Sequence, residues 1–214
     1  MTPKLLLIRP KIDTDDFTKK FSYPASDLGT IAGNLGWDVT EMKMNDTNRT
    51  DVENTIRNGN FDFIIQYGHG EGDKLFGQLN NAQESIIDNA NVDMLSWALV
   101  STVSCSSAQE LGPLAVDANT ARNKSAYLGH NLPYGCEYPH WEFFQKAANE
   151  ANIALLEGKT FMQAKARGYA GYTTQINDLL NSPPSVTKYI AAALLWIDRE
   201  SLTVVGKGSA RAKP

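Results

Sequence analysis

The chain has 214 residues, 42% of them hydrophobic and 21% charged, with a formal net charge of −4. That length fits one α/β domain with an ample core, and the acidic balance lacks the basic footprint that nucleic-acid binding needs. No apolar stretch reaches the roughly 18 residues that span a bilayer, and two cysteines, Cys105 and Cys136, do not make a disulfide framework.

Residues 4–9 read as a first strand, apolar almost throughout and so buried on both faces. One lysine and four successive apolar residues near the N-terminus are too short for the core of a secretion signal, so the expected location is cytoplasmic. Pro10 and the charged stretch Lys11–Lys20 read as a loop, with Asp13–Asp16 a solvated acidic face. Leu28, Ile31, Ala32 and Leu35 recur at helical spacing and predict a helix over 25–36, closed by Gly36. Trp37–Met42 is a short second strand. Thr50-Asp-Val-Glu53 matches a capping box, so a helix runs to about Arg57, and Phe61–Tyr67 is the third strand. Gln78–Asn91 reads as a polar linker, with a helix over 84–94 ahead of a fourth strand at 97–104. A helix over 107–118 and a fifth strand, Ser125–Gly129, follow. His140–Leu156, Thr160–Leu180 and Ser185–Ile197 are helical, with Pro183-Pro184 breaking the last two apart, and Leu202–Gly206 is the final strand. Strands alternating with helices predict an α/β fold with a mostly parallel central sheet of about six strands. The expected domain covers 1–206, and the tail 207–214 is expected to fray.

Two strand ends carry chemistry. Phe61-Asp-Phe-Ile-Ile-Gln-Tyr-Gly-His-Gly70 delivers His69 between two glycines, and Trp97-Ala-Leu-Val-Ser-Thr-Val-Ser-Cys105 delivers a thiol 36 residues later. In an open parallel sheet, sites form beyond the carboxyl ends of the strands. Neighbouring strands lie about 4.8 Å apart, so the two tips can meet across a cleft. Gly68 and Gly70 permit a sharp turn, and their amides can face a developing oxyanion. A helix opening near Ser107 would lower the Cys105 pKa through its N-terminus.

Gly68-His69-Gly70 after one apolar strand, then Ser104-Cys105-Ser106-Ser107-Ala108 after another, resembles the caspase-like (clan CD) cysteine peptidases. The pattern is most similar to the gingipain-type and CHAT-type domains, as are the strand Ser125-Ala-Tyr-Leu-Gly129 and the closing segment Ser201–Gly206. True caspases carry Gln-Ala-Cys where this chain has Val-Ser-Cys. The resemblance implies a single three-layer αβα domain and a cysteine endopeptidase. In it Cys105 is the nucleophile, His69 the general acid/base, and the amides of Gly70 and Cys105 the oxyanion hole. It implies a peptide or protein substrate and requires no metal or cofactor.

Ser104, beside the nucleophile, joins the expected substrate-binding set. His130 and Asn131 join it as part of a loop beyond the fifth strand. Glu71, Asp73, Asp117 and Glu137 are the carboxylates that might receive a basic substrate side chain, with Glu71 and Asp73 adjoining His69. Other readings stand beside these. Cys105 and His69 can be ordinary core and loop residues of an inactive binding or scaffold domain, or of a flavodoxin-like small-molecule binder. Gly68–Gly72 could cradle a phosphate, but it follows the third strand and Glu71 would repel the anion. His130, Cys136 and His140 lack paired zinc spacing. Trp141, Phe143, Phe144, Tyr189 and Trp196 are expected in the core.

Overall fold

The computed structural model describes residues 2–118 and 125–212. The first strand, β1 (Lys4–Arg9), has four successive side chains with no exposure, Leu5 to Ile8, which only a strand covered on both faces can bury. It lies inside a six-stranded sheet between β2 (Asp38–Lys43) and β3 (Phe63–Tyr67). Beyond β3 come β7 (Leu99–Val103), β8 (Ala126–His130) and β9 (Leu202–Gly206). The other pairings are parallel, whereas β9 runs antiparallel to β8. This is the mostly parallel sheet of about six strands that the sequence predicts.

Alternate strand residues feed two cores, as the period of two requires. Leu5, Leu7, Phe63, Ile65, Tyr67, Leu99 and Val103 face one side. There α1 (Asp16–Asn34), α4 (Trp141–Leu156), α5 (Phe161–Asn181) and α6 (Val186–Ser201) cover them. Leu6, Ile8, Ile64, Val100 and Tyr127 face the other side, under α2 (Arg49–Gly59), α3 (Leu111–Ala118) and a small second sheet. Each fully buried Leu, Ile or Phe contributes about 1.5–3 kcal/mol of transfer free energy. Helices on both faces of the sheet make three layers.

Four expectations need correcting. The loop over 11–20 ends early, because α1 begins at Asp16, where the Asp15 side chain caps the helix by accepting from Phe17 N. Gln78–Asn91 is no exposed linker and 84–94 is no helix. Instead β4 (Gly70–Glu71), β5 (Lys74–Leu79) and β6 (Ala82–Ile87) form an antiparallel sheet whose Leu75, Ile86 and Ile87 are fully buried. Its β5–β6 turn is Asn80-Asn81, both with positive φ, the backbone of a type I′ hairpin. The tail does not fray between Lys207 and Ala212. Phe161 N and Met162 N donate to Ala210 O and Gly208 O, and Ala210 and Ala212 are buried. Tyr189 and Trp196 are more than half exposed, whereas Phe144 is fully buried as expected.

Candidate active site

The register of two neighbouring strands assembles the site. Tyr67 of β3 pairs with Val103 of β7, and Gly68 N extends the ladder by donating to Val103 O at 3.2 Å. His69 and Cys105 each lie two residues beyond that pair. Both therefore belong to the sheet face of Tyr67 and Val103, under α1 and α4. Cys105 packs against that core, and the His69 ring lies 5.1 Å from the Phe17 ring of α1. Gly70 lets the two segments touch: a Cβ there would sit 2.8 Å from Cys105 O and 3.0 Å from Ser104 Cβ.

His69 Nε2 lies 2.5 Å from Asp15 Oδ2. The Asp15 carboxylate thus does two things: one oxygen caps α1 and the other holds the imidazole. Burial pushes its pKa up, but the His69 hydrogen bond and charge, with smaller contributions from Thr18 and Phe17 N, leave it below the ordinary 3.8. The solvated acidic face assigned to Asp13–Asp16 is thereby corrected at Asp15. Its signal was present in the sequence, as a helix-capping residue type directly before Asp16.

Cys105 Sγ is half-buried. It accepts from Tyr134 N at 3.3 Å and lies 3.7 Å from Tyr134 O as donor. Phe17 links the two sides of the site, its ring 6.0 Å from that of Tyr134. The expected helix-terminus effect on Cys105 is absent because α3 starts at Leu111, six residues later. Burial instead pushes the thiol pKa up, the Tyr134 amide opposes it, and the Asp198 charge adds to the rise. Directly after the thiol, Ser106 has φ of 52°, a left-handed turn that a non-glycine residue adopts at some cost. Its N–H donates to Leu132 O.

The remaining sequence-derived residues scatter. Glu71 and Asp73 occupy the β4–β5 turn, facing Lys74 at 2.9 Å and 3.9 Å. The carbonyl of Gly72 between them accepts from Glu110 N and Leu111 N, so this turn docks on the start of α3. Ser104 is fully buried, and its Oγ has no partner among the described residues. His130 is not in a loop. It ends β8 with 1% exposure, its ring 4.8 Å from that of Tyr134, and burial pushes its pKa down to about 3, so it is neutral. Asn131 is exposed, its carbonyl accepting from Gln109 Nε2. Asp117 is exposed at the end of α3, and Glu137 lies on the segment that carries Tyr134 and Cys136. His140 Nε2 lies 3.3 Å from Thr187 Oγ1.

Three layers, a six-stranded sheet, and a histidine and a cysteine at adjacent strand tips specify the architecture. It is a caspase-like fold. Gingipain R, solved as an Arg-specific cysteine proteinase, superposes with a TM-score of 0.64 at 13% identity, over 97% of this chain and 47% of that one. The complex of Porphyromonas gingivalis RgpB pro- and mature domains gives 0.59 at 11% identity, over 98% and 48%. The chain spans about half the length of these gingipain chains. No family model and no curated protein matches the sequence. No helix among the described residues is long and apolar enough to cross a membrane.

Proposed function

We propose that the chain is a cysteine endopeptidase in which Cys105 is the nucleophile, His69 the general acid/base and Asp15 the group that orients the imidazole. One observation carries this reading: His69 and Cys105 follow a registered strand pair at equal offset, with the imidazole held by a carboxylate. The likeness to a cysteine proteinase fold supports it. In the reaction, the thiol proton passes to His69 as sulfur attacks the scissile carbonyl. His69 then protonates the leaving amine, leaving an acyl thioester. Water, deprotonated by His69, hydrolyses the thioester to acid and thiol.

The Gly70 and Cys105 amides serve as oxyanion donors in this scheme. Phe76 N donates to His69 O, so alternation along the β4–β5 ladder leaves Gly70 in a pair without mutual bonds, its N–H directed away from β5. A preorganised donor of this kind is worth about 3 kcal/mol. Substrate is a peptide or protein. Hydrolysis of a peptide library varied at P1 by the wild-type chain, but not by Cys105→Ala of the same thermal stability, is the expected result. Equal hydrolysis by both proteins refutes the assignment.

The raised thiol pKa favours a second reading, a domain of this fold that binds without turnover. The two differ in thiol chemistry. A working nucleophile alkylates with iodoacetamide near neutral pH faster than Cys136, whose pKa burial pushes up to about 12.

A further inference from the structure

Asp198 of α6 is fully buried and outside the reaction scheme above. Its Oδ1 accepts from Gly135 N at 2.8 Å, and its Oδ2 has no partner among the described residues. Gly135 N belongs to the same peptide group as Tyr134 O. That peptide is not among the cis bonds, so it is planar and trans, and its N–H and C=O point in opposite directions. One end meets Asp198 and the other meets Cys105 Sγ, 3.7 Å away. The preceding amide, Tyr134 N, donates to the same sulfur at 3.3 Å.

The segment is pinned to α6 at two further points. Asn131 N donates to Ser201 O, and a Cβ on Gly135 would lie 2.7 Å from Leu194 Cδ2. We propose that Asp198 is a positioning residue for the nucleophile: by holding the Tyr134–Gly135 peptide group, it fixes the backbone that both donates to and accepts from the Cys105 sulfur. This rests on reading Cys105 as the nucleophile, yet its test needs no turnover.

The ionisable groups facing Asp198 are Tyr134 and Cys136 from the 131–140 segment, Tyr172 from α5, and Cys105. None is a cation. Burial raises the Asp198 pKa well above 3.8, so a neutral carboxyl suffices, and its task is that of an acceptor. Asparagine keeps that acceptor; leucine removes it and frees the peptide plane.

The release has a definite sign at Cys105. Burial is the largest cause of the raised thiol pKa, and a thiol donating to Tyr134 O is favoured over thiolate. Both are lost together, and they outweigh the lost Tyr134 N–H bond. The experiment follows iodoacetamide alkylation of Cys105 against pH, resolved from Cys136 by peptide mass analysis. Asp198→Leu is expected to move the Cys105 profile down by about one pH unit, hence about tenfold faster alkylation at neutral pH. Asp198→Asn is expected to titrate at the wild-type pH.

A folded Leu variant with the wild-type profile overturns the proposal. So does an Asn variant displaced as far as the Leu variant, since charge rather than the hydrogen bond would then be the cause. Should Asp198→Leu not fold, Gly135→Ala displaces the same peptide against Leu194 and must move the profile in the same direction. These outcomes read the thiol directly, so a protein that cleaves no peptide still decides between them.

Discussion

Replacing Asp15 by asparagine separates the two tasks of one side chain. The amide oxygen still accepts from Phe17 N, so the cap of α1 survives and stability changes little. The charged partner of His69 is lost. A hydrogen bond to a charged group is worth about 1.5–3 kcal/mol. Both side chains keep some exposure, 28% for His69 and 21% for Asp15, so solvent screening places this pair near the lower end. About 1.4 kcal/mol corresponds to tenfold in rate. The expected result is a kcat about tenfold lower with KM unchanged, on the best peptide from a library, beside an inactive His69→Ala. The pH dependence follows from Asp15 being held below 3.8. The pair is complete above that value and fails as pH falls through the lower folded pKa, a limb that Asp15→Asn lacks. A variant with kcat within about twofold of wild type, while His69→Ala is inactive, refutes the orienting role.

Gly70→Ala drives a Cβ to 2.8 Å from the Cys105 carbonyl, so turnover should be lost along with about 1–3 kcal/mol of stability, read by thermal unfolding. The Arg49 guanidinium lowers the Asp88 pKa from 3.8 to about 2. The unfolded chain therefore binds a proton that the folded chain refuses, and stability falls as pH drops from about 4 to 2. Both groups are partly exposed, so the contribution is about 1 kcal/mol. Urea unfolding of Asp88→Asn should lack that slope. Deleting 208–214 returns two first-turn N–H groups of α5 to water and uncovers the apolar surface under Ala210 and Ala212. About 2 kcal/mol should be lost, with catalytic constants unchanged at low temperature.

Strands β1, β3, β7 and β8 were legible because burial on both faces demands unbroken apolar runs, and those runs ended at the two reactive side chains. The start of α1 was not legible. Its first half carries Lys19, Lys20 and Pro24, which argue locally for a loop. What holds it helical is long-range: Phe21, Ala25, Leu28 and Ala32 pack on β1 and β3. The hairpin was misread as a helix because its turn, Asn80-Asn81, lacks the glycine that usually marks type I′ geometry. Asp15 and Tyr134 escaped for a related reason. Nothing near them in sequence tells which distant group each one meets, and only the path of α1 and of the 131–140 segment over the sheet brings them to His69 and Cys105.

The antiparallel closing strand has a consequence for biosynthesis. All five residues of β8 are buried, yet one of its two neighbours is β9, whose residues leave the ribosome more than seventy positions later. Throughout that interval a hydrophobic ribbon presents unpaired amide and carbonyl groups along one flank. Nascent or prematurely terminated chains ending before Leu202 thus offer one another a template for intermolecular pairing, and should accumulate as insoluble material or chaperone-bound species while the finished polypeptide does not.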